Sequence, residues 1–354
     1  MKSNSRKELK GVTLNERFQV TDDRLGKYDY NGYFGDGKFG IDLKTGEEVF
    51  IKTIVFGTQR RRFEGETATQ QIERETHAFN HERRLLEVCL KHNLKRIAKL
   101  VDVGEVSDDN GDLEYAYMAF EKAESNGHIK NVTEVQDSFG FRLQLMKDVC
   151  VGLSQLHQRS IAHQDIKPSN ILKTKEKGED RGKITDLGRA SIEGDGIAHD
   201  LADWAGQGMY AAPDRLYRVQ TSNWNLKRTS SDLYLFGSLM WQYLSESDIP
   251  LTREWMKRLT EPLKPGNFSD TYDQVLPHLV IVFEEIFSDA INDCESEIER
   301  ELITIIKELT NPDPAQRGSK SFSTRIDRHS LHPFISRLDR LLKTHLAQSR
   351  TSNA

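Results

Sequence analysis

The feature that most restricts what this chain can fold into is an ordered set of polar residues near its midpoint. The stretch HQDIKPSNIL spans 163–172, and ITDLG follows at 184–188. Asp165 and Asn170 are five residues apart, and Asp186 comes 16 residues after Asn170. One such acid alone is usually an ordinary surface-loop residue, but an ordered set with this spacing is rarely accidental.

These two motifs resemble the catalytic loop and the metal-binding motif of the protein kinase family. The resemblance implies that Asp165 orients the substrate hydroxyl and that Asn170 and Asp186 bind Mg²⁺. It also implies that Lys167 contacts the γ-phosphate of ATP and that Leu172 lines the adenine site. Phosphoryl transfer needs little covalent help, so these roles are positioning and charge neutralisation. In this resemblance, a lysine at 167 favours protein substrates over small metabolites.

The resemblance implies an α+β, two-lobed fold with a small β-rich N-lobe around one main helix and a larger, mainly helical C-lobe. In the N-lobe, a Thr45-Gly46 turn predicts a hairpin, Gln70–Leu90 has helical spacing, and Ala98–Val106 and Leu113–Phe120 predict strands. Helical periodicity dominates later, at Phe141–Arg159, Asp232–Leu244, Leu276–Asp289 and Glu297–Leu309.

We predict a kinase domain at 18–346, divided into an N-lobe at 18–120, a hinge at 121–127 and a C-lobe at 128–346. A polar extension at 1–17 precedes it, and a tail at 347–354 follows. The ends, Met1–Glu16 and Ala347–Ala354, are polar and predicted to be disordered.

The ATP-binding lysine is predicted to be Lys52, because VFIK at 49–52 resembles the family's strand motif V-A-I-K. In the family this lysine binds the α- and β-phosphates and pairs with a glutamate on the first large helix. Glu82 matches that glutamate best, and Glu73 and Glu75 are alternatives. The alternative role for Glu82 is a solvated residue on the helix face. The interval of 30 residues between Lys52 and Glu82 is longer than is usual in the family, which implies an insertion around 57–69.

Two segments compete for the role of the glycine-rich phosphate loop. The string GDGKFG at 35–40 fits G-x-G-x-x-G, but it ends only 12 residues before Lys52. That interval is too short for two strands and a turn. A gapless alignment instead places Gly32 and Gly35 near the phosphates, with Tyr30 at the position of the first glycine.

The same alignment alters the adenine site. Phe50 replaces the family's alanine and Gly37 replaces its valine, so volume is exchanged rather than simply added. Phe120 matches the gatekeeper and is also expected to pack in the core. The backbone of Glu121 and Ala123 is expected to meet adenine.

Three further positions describe the predicted C-lobe. Asp214, in AAPD at 211–214, is expected to pair with Arg317 and anchor the activation segment. Asp232 is expected to brace the backbone of the catalytic loop, or else to cap a helix. Gln207 replaces the threonine that serine/threonine kinases usually carry, which leaves the acceptor residue open.

The activation segment lacks the usual features of control by phosphorylation. Gln164 stands where many regulated kinases carry an arginine that binds a phosphate on this segment. Between Asp186 and Asp214 the hydroxyl side chains are those of Ser191 and Tyr210. We therefore predict activity that does not depend on phosphorylation of the segment.

Composition excludes several other classes of protein. No apolar run approaches the ~18 residues of a membrane helix, and the net charge of −5 offers no overall basic surface for nucleic acid. The basic cluster Arg60–Arg62 is local, and the three cysteines lack metal-site spacing. We expect a cytoplasmic protein without a membrane or nucleic-acid partner.

The sequence thus predicts an ATP- and Mg²⁺-dependent protein kinase that acts on serine or threonine. The alternatives are a pseudokinase scaffold, whose nucleotide pocket is closed by Phe50 and weakened by Tyr30, and a kinase of a small-molecule or other non-protein hydroxyl.

Overall fold

The computed structural model describes residues 9–22, 31–32, 35–56, 63–107, 110, 113–195, 207–320 and 327–352. The chain divides into two compact units. The first unit comprises Met1–Ala123 and Asp186–Gly188, and the second comprises Glu124–Thr185 and Arg189–Ala354.

The first unit is an antiparallel sheet with one long helix. Its strands are β1 (Thr13–Leu14), β2 (Phe18–Asp22), β3 (Asn31–Gly32), β4 (Gly35–Asp42), β5 (Glu48–Ile54), β6 (Leu100–Ser107) and β7 (Leu113–Glu121), and its helix is α1 (Ala68–Lys91). The described strands are ordered β1-β2-β4-β5-β7-β6, with β3 paired to the start of β4. Thr67 caps α1 by accepting a hydrogen bond from the backbone of Gln70, whose side chain bonds back to Thr67.

The predicted hairpin is present, since β4 and β5 pair from Asp36–Thr53 to Ile41–Glu48 around the Thr45-Gly46 turn. Gly46 adopts a φ of 75°, which glycine tolerates without steric cost. The side chains of β5 at 49–52 alternate between a buried face and a partly exposed face of the sheet. Val49 and Ile51 are buried, so Phe50 and Lys52 share the opposite face.

The second unit is mainly helical. Its described α-helices are α2 (Ile129–Thr133), α3 (Ser138–His157), α4 (Pro213–Leu216), α5 (Ser230–Ser245), α6 (Leu251–Arg258), α7 (Tyr272–Asn292), α8 (Glu297–Leu309) and α9 (His332–Ser352). Its short strands are β8 (Ser125–Asn126), β9 (Ile161–Ala162), β10 (Ile171–Glu176), β11 (Glu179–Ile184) and β12 (Ser191–Ile192). A π-helical turn, Asn225–Thr229, leads directly into α5. The most buried helix is α5, which is apolar over most of its surface.

The expectation of disorder at both ends was wrong within the described residues. Leu9 and Leu14 are buried in a cluster with Phe18 and Val20, because β1 pairs with β2. At the other end, α9 continues through the predicted tail as far as Ser352.

The described helices include none with the length and hydropathy that a membrane crossing requires.

Candidate functional site

In the first unit, Lys52 forms the centre of a charged cluster. Its Nζ lies 2.7 Å and 2.9 Å from the two carboxylate oxygens of Glu82, and 3.6 Å from Oδ1 of Asp186. Burial lowers the pKa of Lys52, but the two carboxylates outweigh that effect and raise it overall. The lysine therefore keeps its positive charge across the physiological pH range.

The partner of Lys52 is Glu82, as the sequence predicts. Glu82 is 2% exposed on α1. Glu73 is exposed, and the carboxylate of Glu75 accepts a hydrogen bond from Gln71 at 3.0 Å. The buried ion pair excludes the alternative role of a solvated residue, because a charge with so little access to water requires a partner.

Asp186 belongs to the first unit, although the sequence placed it in the C-lobe. Its backbone adopts a φ of 64°, in the left-handed region that non-glycine residues occupy infrequently. The side chain is 41% exposed. Such backbone strain is typical of functional sites, and the exposed carboxylate has the chemistry of a ligand for a hard cation.

In the second unit, residues 163–170 form a compact loop that leads directly into β10. Asp165 is 4% exposed and Asn170 is 5% exposed. The side-chain amide of Asn170 donates to the carbonyl oxygen and to Oδ2 of Asp165, at 2.8 Å and 3.1 Å. Lys167 also donates to Oδ2, at 2.8 Å. These bonds hold the carboxylate in one orientation. The amide oxygen of Asn170 accepts only a long bond from the Ser169 hydroxyl, at 3.5 Å, so it retains the capacity to bind a metal ion.

Asp232 anchors this loop to α5. Its buried carboxylate accepts the backbone N–H groups of His163 and Gln164, both at 2.7 Å, and Nε2–H of His157 at 2.9 Å. The predicted brace is therefore confirmed. Because α5 begins at Ser230, Asp232 lies inside the first turn and is not the helix cap.

The sequence analysis missed a second anchor, Arg228. The side-chain amide of Gln164 donates to the carbonyl oxygen of Arg228 at 3.0 Å and accepts from its guanidinium at 3.3 Å. Gln164 has a φ of 66°, so these bonds hold a residue in an uncommon backbone conformation. Nothing in the local pattern identified Arg228, since it lies 64 residues away in the chain.

The predicted ion pair between Asp214 and Arg317 is present at 2.7 Å, with both side chains fully buried. Arg215 also donates to Asp214, at 2.8 Å. Burial raises the pKa of Asp214, but the two arginines outweigh it and lower the pKa below its usual value. The carboxylate therefore stays ionised and can anchor the segment that begins at Gln207.

The sheet accounts for the segment 35–40 as strand, and the assignment of Gly32 and Gly35 to the phosphates stays a prediction. Residues 35–40 lie within β4, and 36–40 pair with β5. At Gly40 a Cβ atom would lie 2.8 Å from Gln19 O, so this glycine is needed for the close approach of β2. Gly32 and Gly35 form the base of the β3–β4 hairpin. Tyr30, Tyr33 and Phe34 lie outside the described residues.

The expected adenine roof contains an aromatic residue that the sequence analysis missed. Phe39 lies directly opposite Phe50 in the β-ladder, with ring centroids 6.2 Å apart, while Gly37 lies opposite Lys52. Phe50 also packs against Phe120, at 6.4 Å. Gly37 is thus only a diagonal neighbour of Phe50, and the stronger cross-strand contact of Phe50 is with Phe39.

The strand β7 ends at Glu121, the first residue of the predicted hinge, and Phe120 immediately precedes it. Phe120 is buried, consistent with a core position. The backbone N–H of Glu121 donates to Lys99 O at 3.1 Å, so it does not serve a ligand as a donor. Ala123 is the last residue of the first stretch of chain, Met1–Ala123, that belongs to the first unit. Leu172 lies in β10 of the second unit, opposite Asn126.

A family model described as a protein kinase domain matches residues 31–335. The serine/threonine-protein kinase pkn2 of Myxococcus xanthus is 26% identical over 268 residues, which cover 73% of this chain and 29% of that protein. A calcium/calmodulin-dependent protein kinase kinase of Caenorhabditis elegans is 29% identical over 51% of this chain and 31% of that protein. The chain therefore spans about a third of the length of these curated relatives.

Proposed function

This chain belongs to the protein kinase domain family, and we propose that it transfers the γ-phosphate of Mg²⁺-bound ATP to a serine or threonine hydroxyl of a protein. The observation that carries the proposal is the arrangement around Lys52. A cationic lysine held 2.7 Å from a buried glutamate is a costly structure that packing alone does not require.

The residues of the first unit fit a role in binding the nucleotide. Lys52 presents a positive charge to the phosphates, and Glu82 fixes its position. Asp186 presents an exposed carboxylate, the chemistry that Mg²⁺ prefers. The bound metal would supply charge neutralisation for the phosphate oxygens.

The residues of the second unit fit a role in positioning the acceptor. Asp165, held by Asn170 and Lys167, would accept a hydrogen bond from the substrate hydroxyl and orient its lone pair. Lys167 would balance the negative charge that develops during transfer. The amide oxygen of Asn170 would serve as a second oxygen ligand for the metal.

The pseudokinase alternative depends on Phe50, which would have to fill the adenine site. The contacts of its ring with Phe39 and Phe120 favour another outcome. Both contacts are within the range of favourable aromatic pairs. A ring held by two neighbours has a defined position, so it can form one wall of an adenine site as a fixed apolar surface.

The test is Mg²⁺-dependent transfer of labelled γ-phosphate from ATP to a general protein substrate. Asp165→Asn preserves the size of the side chain and removes its charge. We expect transfer to fall by roughly a hundredfold or more in a protein that remains folded, although its free energy of unfolding should decrease because the substitution removes the charge that pairs with Lys167. The matched control is Asp270→Asn, which makes the same change at an exposed loop position and should retain wild-type transfer. Equal rates in both variants and the wild type would overturn the proposal.

A further inference from the structure

A cavity of about 230 Å³ lies within the second unit. Its walls come from the end of α3, from β9, from the segment after β12, from the π-helical turn and from the chain just before and at the start of α9. None of its lining residues belongs to the segment 163–172. The proposed phosphoryl transfer therefore gives this cavity no role.

The chemistry of the walls favours a positively charged occupant. Glu193 and Asp327 contribute exposed carboxylates, Trp224 contributes a half-buried indole ring, and the lining residues that the structure describes include no lysine or arginine. Burial lowers the pKa of His329, so this imidazole is neutral near pH 7. Carboxylates and aromatic faces are the groups that recognise ammonium and guanidinium ions, and this cavity contains both.

The size of the cavity favours a compact ligand. Sites for drug-sized molecules typically occupy roughly 300–1,000 Å³, which exceeds the volume found here. Many of the other lining groups are hydroxyls and amides, such as those of Ser160, Asn225 and Ser330. These groups can accept hydrogen bonds from an amine or a guanidine. A small free organic cation fits these properties, and a large hydrophobic ligand does not.

Two direct connections join the cavity wall to the proposed catalytic loop. His157 lines the cavity and donates to Asp232, which accepts the backbone N–H groups of His163 and Gln164. The second connection is the π-helical turn. Asn225 and Thr229 of this turn line the cavity, and Arg228 of the same turn is hydrogen-bonded to the side chain of Gln164. π-Helical turns are rare in proteins overall, and those that occur are often at functional sites.

We propose that this cavity binds a small organic cation bearing a guanidinium or ammonium group, and that its occupancy stabilises the loop around Asp165. The ligand acts through His157 and the π-helical turn, and it does not contact Asp165 itself. A ligand that prefers the ordered loop shifts the population toward that state. The site thus couples the concentration of a small cation to the order of the loop.

Binding is tested by calorimetric titration of the full chain with agmatine, which carries both cationic groups and no carboxylate. We expect saturable binding to one site. Glu193→Gln and Trp224→Leu should each weaken it by roughly fivefold or more, in line with the loss of one charge contact or one cation–π contact. Glu285→Gln, an exposed position outside the cavity, is the matched control and should bind like the wild type.

Absence of saturable binding, or equal affinity in all four proteins, would overturn the site. A Gly-Arg-Gly peptide that binds more tightly than agmatine would overturn the assignment to a free small molecule.

The coupling is tested by hydrogen exchange of the backbone amides of His163 and Gln164. Saturating agmatine should slow their exchange several-fold in the wild type. His157→Phe should abolish this effect, while His157→Gln, which keeps a hydrogen-bond donor, should restore part of it. Binding without slower exchange in the wild type would overturn the coupling. Neither assay measures phosphoryl transfer, so failure of this inference and failure of the proposed function are distinguishable.

Discussion

Replacing Arg317 by methionine should cause a large loss of stability. The guanidinium is fully buried and donates to Asp214 at 2.7 Å, to Asn311 O at 2.9 Å, and to Ser230 Oγ and O at 3.0 Å and 3.1 Å. Breaking a buried ion pair from one side costs about 3–5 kcal/mol, because the other charge stays buried. Arg215 still contacts Asp214, so we expect about 3 kcal/mol, the lower end of that range.

The assay is equilibrium unfolding in urea, with Arg258→Met as the matched control. Arg258 also pairs with an aspartate, Asp289, at 2.8 Å, but those side chains are 36% and 62% exposed. Exposed pairs contribute about 0–1 kcal/mol, so this variant should remain close to the wild type. If Arg317→Met fails to fold, Arg317→Lys keeps the charge and should show an intermediate loss. Equal losses at the exposed and the buried pair would refute the reasoning.

Three further predictions follow from other parts of the structure. Ser191 is fully buried in β12, so Ser191→Ala and phosphatase-treated protein should keep near-full activity; a roughly hundredfold loss would contradict independence from phosphorylation. A double-mutant cycle of Phe39→Leu and Phe50→Leu should give about 0.5–1.5 kcal/mol of coupling in unfolding experiments, and additive losses would contradict the aromatic contact. Burial lowers the pKa of His329 below 6.5, so the unfolded chain binds the proton more tightly and stability should fall as pH decreases through 6.5. His329→Gln should flatten that part of the stability profile, and an unchanged slope would contradict this role.

The charged pairs of the proposed site were the most predictable part of the molecule. Lys52 with Glu82, and Asp214 with Arg317, were identified from motifs although 30 and 103 residues separate the partners. A motif constrains chemistry at fixed positions, so it allows a distant partner to be recognised. The helices were also predictable in type, because their periodicity is a local property. Glu297–Leu309 was predicted with the bounds that α8 has in the structure.

The missed features depend on contacts that local patterns do not encode. The strand β1 has two residues and exists only because Thr13 and Leu14 pair with β2. The opposition of Phe39 to Phe50 depends on strand register, which a one-residue shift would change. Arg228 acts through its carbonyl oxygen as well as its side chain, and any residue type supplies a carbonyl.

The most direct test of the central claim is phosphoamino-acid analysis of a protein substrate labelled from γ-labelled ATP by the wild-type chain in the presence of Mg²⁺. The account predicts label on serine or threonine, and only background label from Lys52→Met and Asp165→Asn, which lack the charged groups assigned to the nucleotide and the acceptor. Wild-type label no greater than that of the two variants, or label on tyrosine alone, would contradict it.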